Sequence, residues 1–309
     1  MAEDELSKRG KWLEKQCSFK LPANLLQLGR FLAGDGKRVL DELKLRATGP
    51  LAMLLAADAP AGLDDPTGLN IPFLEARHAR DLPELFTFLE GREDGLHWSL
   101  VWDRTDEPPR GVASFCSQDN APMRMHAGIF SGLLDIIADQ RAAIDELIED
   151  EPDREAAHRA RIPVLQALDA TVRAWTASHG VALDEQRGSG LYSDTGLDLI
   201  LPAAHAHAAP TRDGVRRMGR PIEIQQACKQ ALTDCDAGRP YDAILLGRSL
   251  FYWKDAGERE TAGVLLDKGY AAVGLHPLTR VLAAHLEQLE DLEGVQEDAD
   301  ADEEEEEQD

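Results

Sequence analysis

TDCDAGRPYDAILLGRSLFYWKDAGERETAGVLLDKGYAAVGLHPLTR, residues Thr233–Arg280, decides how the chain is read. Its first helical stretch carries Asp236, Arg239, Asp242 and Arg248 and runs into the aromatic cluster Phe251-Tyr252-Trp253. Aromatics make up only 6% of the chain, so three in a row stand out; at a helix end they read as a core anchor before a binding platform. Further helical stretches follow at Gly263–Tyr270 and Leu278–Leu289. Pro221, Pro240 and Pro277 sit where first helical turns would begin, so the chain is expected to be helical from Pro221 to about Leu292.

Working toward the N-terminus, Gly188–Pro202 reads as a short β-hairpin with its turn at Asp194-Thr195-Gly196, and His205–Arg220 as a loop. Arg154–Ser178 predicts a long helix that is kinked, or starts afresh, at Pro163. Gly128–Leu147 predicts another, with Ile129, Leu133, Ile136, Ile137 and Ile144 at helical spacing; Glu149–Asp153, with Pro152, is a boundary. The clearest strands are His97–Asp103 and Gly111–Cys116, close enough to pair as a hairpin. Ala59–Pro72 is a Pro-, Gly- and Asp-rich loop, and Leu51–Ala57 is helix or buried strand. Helices are expected over residues 4–19, Asn24–Leu32 and Lys37–Leu45. The expected fold class is α+β: N-terminal helices with a small antiparallel sheet, then a C-terminal lobe with a short β-hairpin and a helical bundle. The expected divisions are 1–125, 126–295 and a disordered acidic tail, 296–309.

Bulk properties narrow the function classes. The formal charge is −24, and the stretch Gln296–Asp309 supplies ten acidic residues and no basic one. With no basic stripe to displace counterions, direct nucleic-acid binding is not expected, nor is binding to anionic membranes. No apolar run approaches the roughly 18 residues of a membrane span, and Met1–Lys15 has no signal-peptide pattern. Cys17, Cys116, Cys228 and Cys235 form neither a disulfide framework nor a CxxC zinc pattern. A cytoplasmic location with isolated, buried thiols is therefore expected.

Little in the chain carries chemistry outright. His205 and His207 share one face of an extended segment, as zinc ligands would, but no third ligand stands at a standard spacing. Asp94 near His97 could form an acid–base pair, although His97 reads more simply as a half-buried strand residue. Asp234 and Asp236 flank Cys235; on a helix their side chains diverge by about 200°, whereas at a helix end they could converge. Asp236 could instead cap the helix starting at Pro240. No nucleophile elbow, P-loop or dinucleotide fingerprint is present, and neither metal nor cofactor is expected.

Taken in order, several short segments resemble the histone PARylation factor family, the accessory proteins that complete the active site of poly(ADP-ribose) polymerases and redirect modification to serine. Leu21-Pro22-Ala23-Asn24-Leu25 is similar to that family's Leu-Pro-x-x-Phe, and Leu43–Pro50 to its Leu-x-Leu-x-x-x-Gly-Pro. Asp81-Leu82-Pro83-Glu84-Leu85 is similar to its Asp-Pro-Pro-Glu-Phe, and Gly190–Pro202 to its Gly-Leu-Val-Val-Pro. Leu246-Gly247-Arg248-Ser249-Leu250-Phe251 matches its Leu-Gly-x-x-Leu-Phe, and Leu265–Ala271 resembles its Leu-x-x-x-Tyr helix. The family's general base is a Glu beside an Asp, just before the Leu-Gly-x-x-Leu-Phe helix. An ungapped count from Phe251 puts Asp236 at the Asp and Ala237 at the Glu; a three-residue insertion instead sets Asp234-Cys235-Asp236 on the family's Glu-Cys-Asp. The family's partner-holding Tyr-Arg pair falls at Val215 and Arg216.

The resemblance implies a non-enzymatic, bacterial protein-binding or regulatory factor. Its partner-facing residues would be Arg216, Asp236, Arg239 and Tyr241, with Asp234 and Asp236 as weak catalytic candidates. The partner would be an ADP-ribosyltransferase. An immunity-type protein neutralising a basic toxin is the alternative, and a metal-dependent enzyme using His205 and His207 the third reading.

Overall fold

The computed structural model describes residues 3–17, 19–34, 36–56, 77–92, 95–102, 107–116, 122–183, 195, 221–253 and 256–288. The Ala59–Pro72 loop, Asp94, most of the expected Gly188–Pro202 hairpin, His205, His207, Arg216 and the acidic tail lie outside them.

Helices α1 (Glu3–Cys17), α2 (Ala23–Leu32) and α3 (Gly36–Glu42) lead into β1 (Leu45–Ala47) and α4 (Gly49–Leu55). α2 forms where expected, because Leu25, Leu28, Phe31 and Leu32 recur on one face and are buried together. Each such side chain contributes roughly 1.5–3 kcal/mol. α4 settles the ambiguous apolar run as a helix, with Pro50 in its first turn. The third predicted helix stops short: Lys44 adopts φ 55°, and Leu45–Ala47 pairs with the strand that follows α4. A three-residue strand is too short to announce itself by alternation.

β2 (Leu85–Gly91), β3 (Leu96–Val101), β4 (Gly111–Cys116) and β5 (Arg124–His126) complete a five-stranded antiparallel sheet in the order β1-β2-β3-β4-β5. The expected β3–β4 hairpin is present, running from Leu96 opposite Cys116 to Val101 opposite Gly111. Sequence reading missed β2, whose first five residues are buried on both faces and so show no alternation. A bulge lies between Thr87 and Leu89.

Strand alternation divides the sheet's side chains into two sets. Thr87, His97, Ser99 and Phe115 share one face by register; Trp98, Ser114, Arg124 and His126 share the other. Against the second face lies α5 (Ile129–Ala142), which packs with α2 and the long α7 (Glu155–His179) through Phe31, Phe130 and Trp175. The predicted helix Gly128–Leu147 is broken at Ala143, giving α5 and α6 (Ile144–Asp150), and a 3-10 turn at Pro152–Arg154 precedes α7. α7 itself runs unbroken through Pro163, so the expected fresh start there is not found. Burial of Leu165, Leu168, Val172 and Thr176 holds the helix on the core beyond the proline.

Four helices follow, α8 (Pro221–Asp236), α9 (Tyr241–Trp253), α10 (Ala256–Ala272) and α11 (276–288); α9 comes toward the first face, and α8 packs on α9 and α10. Tyr252 of α9 meets the edge of Phe115 at 5.8 Å. α9 and α10 approach closely at Gly247, where a Cβ would lie 2.8 Å from Leu266 Cγ. Phe251 and Tyr252 are 0% and 1% exposed, which makes these two aromatics a core anchor, with Trp253 partly buried beside them. The fold is α+β, with a helical C-terminal region. Among the described residues, nearly all the buried apolar side chains belong to one cluster that reaches from Leu6 to Ala284.

Candidate functional site

Gly238, at φ 82°, ends α8 in the left-handed region, and Pro240 restarts the chain as α9. This turn carries the charged residues singled out from the sequence. Asp234 accepts hydrogen bonds from Gln230 Nε2 at 2.9 Å and from Arg239 Nη2. Those two donors, Gln230 first, hold its carboxyl below the ordinary value. Asp236 turns away and accepts from Lys268 Nζ of α10 at 3.0 Å. The two carboxylates therefore diverge, each toward its own cation, and do not form a dyad. Asp236 serves α8–α10 contact rather than capping α9. Tyr241 is buried, and burial raises its phenol.

Chemically, Asp234 is a carboxylate already committed to two donors, and a depressed pKa makes it a weak base. It could accept a proton only after Arg239 lets go. Ala237, the other alignment partner of the family's Glu, follows α8 directly and has no proton-accepting group. Cys228 and Cys235 are buried on α8's inner face, and burial raises both thiols.

A second polar group of residues lies where the sheet's first face meets α9, α10 and α11. Glu84 Oε1 accepts from Arg248 Nε at 2.7 Å and from the Tyr270 hydroxyl. Glu84, Arg248 and Tyr270 are at most 1% exposed. Burial, then the Glu84 charge, pushes the Tyr270 phenol well up. Arg77 donates to the carbonyls of Leu85, Asp81 and Leu82 at 2.6–2.9 Å and to His285 Nδ1 at 3.2 Å. Burial would raise the Asp81 carboxyl, but the charge and hydrogen bond of His97, with His78 and Arg77, outweigh it and hold that carboxyl well below the usual range. His97 Nε2 lies 3.0 Å from Asp81 Oδ1 and Nδ1 lies 2.9 Å from the Gly95 carbonyl; His78 stacks on the ring at 4.2 Å. Thr87 links Asp81 to Ser99. His97 is fully buried, not half-buried, and its partner is Asp81.

A third group lies across the sheet. Ser114 Oγ is 2.7 Å from His126 Nε2, and His126 Nδ1 is 2.6 Å from Asp135 Oδ2. Sequence reading missed both networks. Glu84 finds Arg248 and Tyr270 across 164 and 186 positions, and Arg77 finds His285 across 208. The available signal was polar residues alternating within otherwise apolar strands, His97 with Ser99 and Arg124 with His126.

Among the described residues no group of three or more His, Cys, Asp or Glu could hold a metal ion, and no described helix is long and apolar enough to cross a membrane. A scan of the sequence against protein-family models found no match, and a search among curated proteins found none either.

Proposed function

We propose that this chain is a partner-binding regulatory factor of the cytoplasm, built on the scaffold of the histone PARylation factor family and engaging an ADP-ribosyltransferase. One observation carries the reading. Three of the segments that resemble the family, Asp81–Leu85, Leu246–Phe251 and Leu265–Ala271, meet in the buried Glu84–Arg248–Tyr270 node. That three of the resembling segments share one sealed ion pair supports reading them as parts of a common scaffold. The node is closed to solvent, so its role is architectural.

The partner-facing residues in this reading are Asp236 and Arg239 of the α8–α9 turn; Tyr241 beside them is buried, and Arg216 lies outside the described residues. Asp234 stands in for the family's Glu with a side chain one methylene shorter, already neutralised by Arg239. Such a protein binds its transferase and alters acceptor choice weakly or not at all. The test is co-purification with an endogenous ADP-ribosyltransferase, followed by mass spectrometry of acceptor residues with and without the factor. Binding that is lost in Arg239→Glu supports the reading; absence of both binding and any change in acceptor residue removes it.

A charge of −24 favours a second reading, an immunity-type protein that covers a basic toxin. Failure to protect cells expressing a toxin encoded beside it would remove that one.

A further inference from the structure

We propose that Ser114, His126 and Asp135 form a nucleophilic serine site for carboxylic ester substrates, on the sheet face opposite the Glu84–Arg248 node. Three observations meet here. The first is the hydrogen-bond chain itself: Ser114 Oγ to His126 Nε2 at 2.7 Å, and His126 Nδ1 to Asp135 Oδ2 at 2.6 Å. A carboxylate can only accept, so Nδ1 carries the hydrogen; in the neutral ring Nε2 then accepts, and the Ser114 hydroxyl must be the donor. That is the order of proton hand-over a serine nucleophile needs.

The second is access. Ser114 and His126 both line a cavity of about 400 Å³ between the sheet and α5. Leu45, Leu96, Trp98 and Ile136 give it apolar walls. The Asp81–His97–Thr87–Ser99 cluster has similar residue types, but each of its members is 0% exposed, and no histidine nitrogen there faces the serine. Ser114 and His126, at 8% and 3% exposed, are also buried; what sets them apart is the cavity they border.

The third is an unmatched donor. Trp98 stands directly opposite Ser114 in the β3–β4 register, lines the same cavity, and its indole Nε1 is buried without a hydrogen-bond partner. A buried N–H of this kind is costly to leave unpaired. An oxyanion forming beside Ser114 would supply the missing acceptor.

The chemistry balances without a further reagent. Ser114 Oγ bonds to the acyl carbon as its proton passes to His126 Nε2, and the carbonyl electron pair moves onto oxygen. Collapse breaks the bond to the alcohol, which leaves with the proton from His126. Water then adds to the acyl-enzyme, giving its proton to His126, and Ser114 departs by taking that proton back. Asp135 faces Nδ1–H throughout. The walls formed by Leu45, Leu96, Trp98 and Ile136 suit an apolar acyl group.

The experiment uses the whole folded chain and a fluorophosphonate probe, whose phosphorus takes the Ser114 oxygen as fluoride leaves. The expected result is one adduct, found on Ser114 by peptide mass spectrometry and absent from Ser114→Ala. His126→Gln and Asp135→Asn should each slow labelling by at least about 100-fold, while Ser178→Ala, an exposed serine on α7, labels as the parent does. Asp135 has a side chain 39% exposed, so its amide variant keeps the fold even if a change at buried His126 does not. No adduct on the folded parent, an adduct only at other serines, or Ser114 labelling indifferent to Asp135→Asn would each overturn the proposal.

Discussion

Lowering the pH below about 6.5 should destabilise this protein, and His285 should supply a separable share of the loss. His285 is 0% exposed, takes a hydrogen bond from Arg77 Nε on Nδ1, and has the edge of Phe251 at 5.4 Å. Burial first, and then the Arg77 charge, push its pKa from 6.5 down to about 3. Because the folded value is the lower one, the unfolded chain binds the extra proton in this window. The stability contribution is complete above about pH 6.5 and is lost as pH falls from there toward the folded value of about 3. Asp81 also has a depressed carboxyl, but its contribution fades only below its ordinary value of 3.8, outside the range to be measured.

The chain's isoelectric point is about 4.7, so the measurement should stop at about pH 5.5, where solubility holds. One unit below 6.5, the loss through His285 is about 1.4 kcal/mol. His78, also pushed down by burial, changes in the same direction. The contrast must therefore come from a variant. Urea unfolding of the parent and of His285→Gln at about pH 7.5 and 5.5 gives four free energies. Gln keeps an acceptor for Arg77 and does not titrate. The parent should lose about 1.4 kcal/mol more than the variant over this interval. Equal losses, within about 0.4 kcal/mol, would refute a sealed, neutral His285.

Other consequences follow from the packing. Glu84→Ala leaves Arg248 buried without its carboxylate and should cost about 3–5 kcal/mol by urea unfolding; a cost under about 1 kcal/mol would mean the node is not sealed. Gly247→Ala sets a methyl 2.8 Å from Leu266 Cγ and 3.2 Å from the Ala262 carbonyl, forcing α9 and α10 apart. A loss of about 1–3 kcal/mol is expected, read as a lower melting temperature. Gly238→Ala meets no atom within 4 Å, so its effect is conformational alone: about 1–2 kcal/mol for an L-residue at φ 82°. An unchanged melting curve would show that the turn relaxes.

Helix periodicity, prolines and the β3–β4 hairpin were legible in the sequence because each depends on neighbours within a few residues. α1, α2, α5, α7 and the series from Pro221 onward emerged close to their expected places. β1 and β5, at three residues each, and β2, with its buried faces, left no periodic trace. The α8–α9 turn was visible for the same local reason: Asp234, Asp236 and Arg239 are adjacent in the chain. Which cation each acid takes was not, since Lys268 arrives from α10.

The order of the main helices, the β3–β4 hairpin, the acidic composition and the punctuation by proline and glycine belong to the sequence by itself, through short-range sterics and the periodic placement of apolar side chains. Only the tertiary structure decided which polar residues meet. Glu84 with Arg248 and Tyr270, Asp81 with His97, and Ser114 with His126 and Asp135 are brought together by strand register and helix packing. The physical reason is that burial requires polar groups to find partners, but the partner's position is set by the layers that close over it.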